Sequence, residues 1–100
     1  MIAVQRDGGT VCFVVSGEID LSNADTLEVR LENEIDSRVS DVIVDLTKVE
    51  YIDSAGVRVM FTLAARLGTR QIELRVEAPS GSPVRRVLEI AGFPLLPSDG

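Results

Sequence analysis

The stretch Val42–Leu67, VIVDLTKVEYIDSAGVRVMFTLAARL, constrains the fold more than any other part of the sequence. It opens on Val42-Ile43-Val44-Asp45-Leu46, a near-continuous apolar run rich in β-branched residues, the pattern of a strand covered on both faces. It closes on Val57, Met60, Phe61, Ala64 and Leu67, spaced as one face of a helix. Between the two lies Asp53-Ser54-Ala55-Gly56, where the first helical turn leaves backbone N–H groups unpaired. Ser54 there suits two roles equally, as an N-cap or as the carrier of a phosphate.

The remaining elements follow from turn and cap signals. Ile2–Gln5 reads as a short edge strand, Asp7-Gly8-Gly9 as a turn and Thr10–Val15 as the second strand of a hairpin. Ser16–Asp20 closes that hairpin and leads into a helix. Ser22 followed by Asp25 resembles a capping box with a shorter acid. Ala24, Leu27, Leu31 and Ile35 share one helical face, opposite Glu28, Glu32 and Asp36, which predicts an amphipathic helix of about four turns. The central strand is expected near Asp41–Leu46, and a second helix from about Ser54 to Gly68, with Gly68 just past its end. Gln71–Glu77 alternates Ile72, Leu74 and Val76 with charged neighbours and reads as a strand with one wetter face. Ser82 caps a third helix with Pro83 at its first position; Val84, Val87, Leu88 and Ala91 face inward and Gly92 ends it. Phe93–Leu96 is a last extended piece, with Leu95-Leu96 in reach of the sheet edge. Strand and helix alternate from residue 10 onward. That predicts one α/β domain over residues 1–100, with an N-terminal hairpin strand and a mixed, mostly parallel sheet joined by right-handed crossovers.

Composition narrows the function. Net charge is −6 and the basic residues form no block, so nucleic acid is not an expected partner, because phosphate neutralisation needs clustered Lys and Arg. The chain contains no histidine, which excludes a Ser–His–Asp triad and any His general base. With Cys12 as the sole cysteine, an intrachain disulfide is excluded too and a zinc site is not expected; Cys12 reads as a small core residue. Ile52-Asp53-Ser54-Ala55-Gly56 lacks the first glycine of a nucleophile elbow, and no P-loop is present. Asp20, Asp45, Glu50 and Asp53 could form a carboxylate pair or a hard-metal site, but solvated acids are the commoner arrangement in an acidic chain. No catalytic residue, cofactor or metal is therefore expected. The start lacks the apolar stretch of a signal peptide, and no charge-free run nears the roughly 20 residues of a membrane helix. A cytoplasmic protein without membrane contact is expected.

A phosphate on Ser54 would bring roughly −1.5 to −2 charges and three acceptor oxygens to the turn. The helix N-terminus tolerates such a charge, so the fold need not open. The surface would still change from neutral to dianionic beside Asp53, and a partner covering it closely would lose affinity.

Asp45-Leu46-Thr47-Lys48-Val49-Glu50-Tyr51-Ile52-Asp53-Ser54-Ala55-Gly56-Val57 resembles the signature of the anti-sigma factor antagonists, the bacterial branch of the STAS domain, D-L-x-x-V-x-[FY]-[IM]-D-S-[ST]-G-[LV]. Gly17-Glu18-Ile19-Asp20 resembles the second signature, G-E-[LI]-D, and Ser82–Phe93 the late helix. The resemblance implies helices mainly on one face of the sheet, three to four in number. It implies an unphosphorylated antagonist that binds an anti-sigma factor, usually a small GHKL-type serine kinase, and so frees a sigma factor. The kinase phosphorylates the antagonist's serine and releases it, and a PP2C-type phosphatase reverses the mark. Ser54 maps onto the phosphorylated serine, Asp53 onto the acid beside it, and Asp20 onto an acid near it. The expected partner surface is thus Asp20, Asp53, Ser54, Ala55, Gly56 and Arg58, on a monomer or weak dimer. A STAS module serving as a nucleotide or small-ligand sensor, or as a scaffold in a signalling complex, is the alternative.

Three departures stand out. Ala55 replaces the usual second Ser or Thr, leaving Ser54 the only hydroxyl of the motif. Arg58 replaces a usual glycine one turn beyond Ser54, where it can pair with a phosphate, alter which kinase fits, or be simply solvated. The sequence stops at Gly100, where the family often has another helix, so part of the usual partner surface or edge cover is expected to be missing.

Overall fold

A computed structural model describes residues 2–95. Strand β1 (Ile2–Asp7) turns through Gly8-Gly9 into β2 (Thr10–Ile19), with Gly8 in the left-handed region at φ 62°. Helix α1 (Ala24–Asn33), strand β3 (Asp41–Ile52), helix α2 (Ser54–Thr69), strand β4 (Glu73–Glu77) and helix α3 (Pro83–Ile90) follow. The sheet order is β1-β2-β3-β4; the first pair is antiparallel and the other two are parallel. The expected mixed, mostly parallel sheet is therefore present, with its N-terminal hairpin and three helices.

Side-chain alternation separates the two faces of the sheet. Val11, Phe13 and Val15 of β2, Val42, Val44 and Leu46 of β3, and Val76 of β4 are buried. They join Leu27 and Leu31 of α1, Val59, Met60, Leu63 and Leu67 of α2, and Val84 and Leu88 of α3 in one continuous core. Each fully buried side chain of this size contributes roughly 1.5–3 kcal/mol. Cys12, Val14, Ile43 and Asp45 alternate with these residues and are only half-buried. The apolar run of β3 is thus fully covered on one face, not on both. Cys12 lies on the open side rather than in the core. Its burial, then Asp45 and Glu77, raise its pKa, which keeps the thiolate scarce.

Both central strands outrun the sequence reading. Ser16, Gly17, Glu18 and Ile19 do not close the hairpin; they continue β2 and pair with Lys48, Val49, Tyr51 and Ile52. Register shifts fall between Val14 and Ser16 and between Gly17 and Glu18, and Gly17 sits at φ 89°. Gly17 therefore makes a bulge, a positive-φ position that glycine fills without strain, rather than a turn. The bulged ends carry Ile19 and Ile52 side by side to one edge of the molecule.

The helices differ from expectation mainly at their ends. Helix α1 has ten residues, short of four turns, and Ile35 is buried from the loop that follows. Ser22 does not cap it. The N-cap position is Asn23, without a side-chain cap bond, and the N–H groups of Asn23 and Ala24 donate instead to the Asp20 carbonyl at 3.1 and 2.8 Å. Helix α2 runs through Gly68 to Thr69. The left-handed residue past its end is Gln71, at φ 57°, after which Ile72 N–H closes back on the Leu67 carbonyl at 2.9 Å. Helix α3 begins as expected, with Pro83 in its first turn and Ser82 Oγ accepting from Arg85 N at 3.1 Å. Ala91 is exposed, not inward. Phe93 returns to the core edge-on against Phe61, with ring centroids 5.1 Å apart. Residues 93–95 form no strand, and Leu96 lies outside the described residues. Among the described residues no helix is long and apolar enough to cross a membrane.

Candidate functional site

The site is built where β2 and β3 end together. Ile19 pairs with Ile52, and Asp53 N–H donates to the Ile19 carbonyl at 3.1 Å. Asp53 then takes an extended conformation and becomes the N-cap of α2. Its Oδ1 accepts from Ala55 N at 2.9 Å and from Gly56 N at 3.2 Å. Such a cap contributes about 1 kcal/mol. Its Oδ2 accepts from Leu21 N at 3.1 Å. One half-buried carboxylate thus starts a helix and ties the β2–α1 loop to it.

Ser54 is the first residue of α2, and it is exposed. Because Asp53 does the capping, the Ser54 hydroxyl has no hydrogen-bond partner among the described residues. Of the two roles open to Ser54, the N-cap is occupied by its neighbour. Gly56 explains how the turn closes so tightly. A Cβ there would lie 2.5 Å from Ile52 Cγ1 and 2.7 Å from Ile19 Cγ2, so the helix start approaches the paired strand ends at a distance that a side chain would prevent.

Asp20 sits in the loop bound to Asp53. Its Oδ1 accepts from Ser22 N at 2.9 Å and from the Ser22 hydroxyl. Asn23 Oδ1 accepts from Asp20 N at 3.0 Å, and Asn23 Nδ2 donates to the Glu18 carbonyl at 2.8 Å. Ala55 and Gly56 are buried beneath the turn. Arg58, one turn along α2, is exposed and lies 3.6 Å from Asp25 Oδ1 of α1. An exposed pair of this kind contributes at most about 1 kcal/mol. Asp45 is elsewhere, on the open sheet face, where Oδ1 accepts from Thr47 N at 2.9 Å. Among the described residues no three His, Cys, Asp or Glu side chains converge as metal ligands would.

Two features were beyond reach of the sequence. Leu21, next to Asp20, is 78% exposed, and Tyr51, just before the site on β3, is 51% exposed. Neither hydrophobic periodicity nor motif spacing marks Leu21 as a surface residue. Its backbone N–H bonds Asp53, 32 residues away in sequence, so its setting is a tertiary one.

The STAS domain family matches residues 1–97. The chain is 34% identical over 92 residues to the putative anti-sigma factor antagonist BtrV of Bordetella bronchiseptica, covering 92% of this chain and 78% of that one. Its structure resembles that of an anti-sigma factor antagonist from Mycobacterium paratuberculosis with a TM-score of 0.83 and 27% identity, over 99% of this chain and 86% of that one. It shares its fold with the Bacillus anti-sigma factor antagonist SpoIIAA in its unphosphorylated form, with a TM-score of 0.77 and 18% identity, over 93% of this chain and 82% of that one. A family match over nearly every residue, together with close agreement in fold with known antagonists, establishes that the chain belongs to the STAS domain family, on its anti-sigma factor antagonist branch.

Proposed function

We propose that this protein is a phosphorylation-controlled anti-sigma factor antagonist acting in the cytoplasm. Its unphosphorylated form binds an anti-sigma factor that is also a GHKL-type serine kinase, and the bound sigma factor is set free for transcription. The kinase then transfers the γ-phosphoryl group of ATP to Ser54. The Ser54 Oγ–phosphorus bond forms, the bond between the γ-phosphorus and the bridging oxygen breaks, ADP leaves, and a base of the kinase takes the hydroxyl proton. A PP2C-type phosphatase restores the hydroxyl by hydrolysis.

The observation that carries this reading is the division of labour between Asp53 and Ser54. Capping by Asp53 leaves an exposed hydroxyl free at the positive end of a helix dipole, where an added dianion leaves the helix intact. The antagonists to which the chain is similar support the antagonist role. The sensor alternative has less behind it. A cavity of about 150 Å³ lies between β1, β2 and α1, lined by Ile2, Val15, Ile19 and Leu27 with Glu18, Asn23, Thr26 and Arg30. Small-molecule sites are typically about 300–1,000 Å³.

Adding the unphosphorylated protein to a purified complex of the anti-sigma factor and its sigma factor should release free sigma factor, visible by gel filtration. A complex that stays intact at saturating antagonist contradicts the proposal.

A further inference from the structure

We propose that Leu21 is an apolar anchor of the partner surface, seated in a recess of the anti-sigma factor bordered by Lys or Arg side chains. The proposal rests on the reading of the Ser54 turn as the docking surface and adds the residue that selects the partner. Five large apolar side chains among the described residues are exposed: Leu21, Val29, Tyr51, Phe61 and Ile90. Leu21 is the most exposed of them, at 78%, and it belongs to the loop bonded to the Ser54 turn.

That loop holds Leu21 in water by construction. Leu21 N–H is fixed on Asp53 Oδ2, and Asp20, Ser22 and Asn23 use their side chains to bond one another or the Glu18 carbonyl. These bonds hold the loop backbone in the conformation from which Leu21 projects into solvent. With the loop backbone already held, burying Leu21 costs little further backbone entropy, so more of its burial converts into affinity. Only Asp53 stands between the Leu21 hydrogen bond and Ser54 along the chain. A dianion on Ser54 would thus stand beside the apolar contact and oppose its desolvation.

Charge decides the partner's chemistry. The loop that carries Leu21, the first turn of α1 after it, and the residues bonded to these or lining the cavity beside them include Glu18, Asp20, Asp25 and Asp53 against Arg30 and Arg58. Four carboxylates against two cations leave a local charge of −2 at neutral pH. A recess with a cationic border complements this surface, whereas an acidic or wholly apolar one does not.

The test measures the dissociation constant of the purified anti-sigma factor of the same organism for wild type, Leu21→Ser, Leu21→Met and Ser54→Asp. Leu21→Ser should bind about 10-fold or more weakly and Leu21→Met within about 3-fold of wild type, both melting as wild type does. Binding should also weaken as salt rises from about 0.05 to 0.5 M. Leu21→Ser binding as tightly as wild type overturns the anchor, and salt-independent binding overturns the cationic border. If Ser54→Asp weakens binding but Leu21→Ser does not, the anchor alone is wrong. If wild type does not bind, or neither variant affects binding, the reading of the Ser54 surface falls with it.

Discussion

Ser54→Asp should bind the anti-sigma factor at least about 100-fold more weakly than wild type, since a charge misplaced in an interface costs several kcal/mol and each 1.4 kcal/mol is tenfold. The melting temperature should scarcely move. Ser54 is exposed and its hydroxyl bonds nothing among the described residues, so its replacement breaks no native contact. A carboxylate in the first turn gains about 0.3–1 kcal/mol from the helix dipole, and repulsion from Asp53 offsets part of that gain. Ser54→Ala should bind as wild type does and resist any control by the kinase. Titration calorimetry beside a thermal melt separates the two effects. Lost binding with an unchanged melt locates the effect at the interface, whereas a collapsed melt would make Ser54 structural.

Gly56→Val should destabilise the fold by about 3 kcal/mol, the upper end of the overpacking range, lowering the melting temperature by more than about 10 °C. Glycine within a helix ordinarily costs roughly 0.5–1 kcal/mol relative to alanine, so its replacement would normally help. Here sterics decide the sign. A Cβ would lie 2.5 Å from Ile52 Cγ1 and 2.7 Å from Ile19 Cγ2, and valine adds two methyl groups to that overlap. Relief requires α2 to lift from the strand ends, which would stretch the Asp53 bonds to Ala55 and Gly56. In an Ile52→Ala background Cγ1 is gone, and the added penalty of Gly56→Val should shrink. Chemical denaturation of the single and double variants reads the coupling. An undiminished penalty contradicts the steric cause.

How much of this was legible depends on whether the information was local. The hairpin at Gly8-Gly9, the β3–α2 unit and the Ser82-Pro83 helix start were readable because turns, caps and periodicity act over a few residues. The extension of β3 was not. Beyond Leu46 its buried residues are Val49 and Ile52, and a spacing of three is invisible to a period-two search. Gly17 misled for a related reason: a bulge and a turn use the same left-handed conformation, and only the partner strand distinguishes them. Within the site, Asp53-Ser54-Ala55-Gly56 stood out as a helix start, but whether serine or aspartate capped it did not. Either side chain is a good cap. In the structure Asp53 is the cap, and its other carboxylate oxygen accepts from Leu21 N. Leu21 was hidden for the same reason, since its exposure is a tertiary property.

The most direct measurement treats the protein with its partner kinase and ATP and maps the phosphate by mass spectrometry. One phosphate should appear on Ser54, none should appear on Ser54→Ala, and the modified protein should leave the kinase while keeping the wild-type melt. A phosphate at another residue, or a Ser54 phosphate that leaves the complex intact, would contradict a switch built on this hydroxyl.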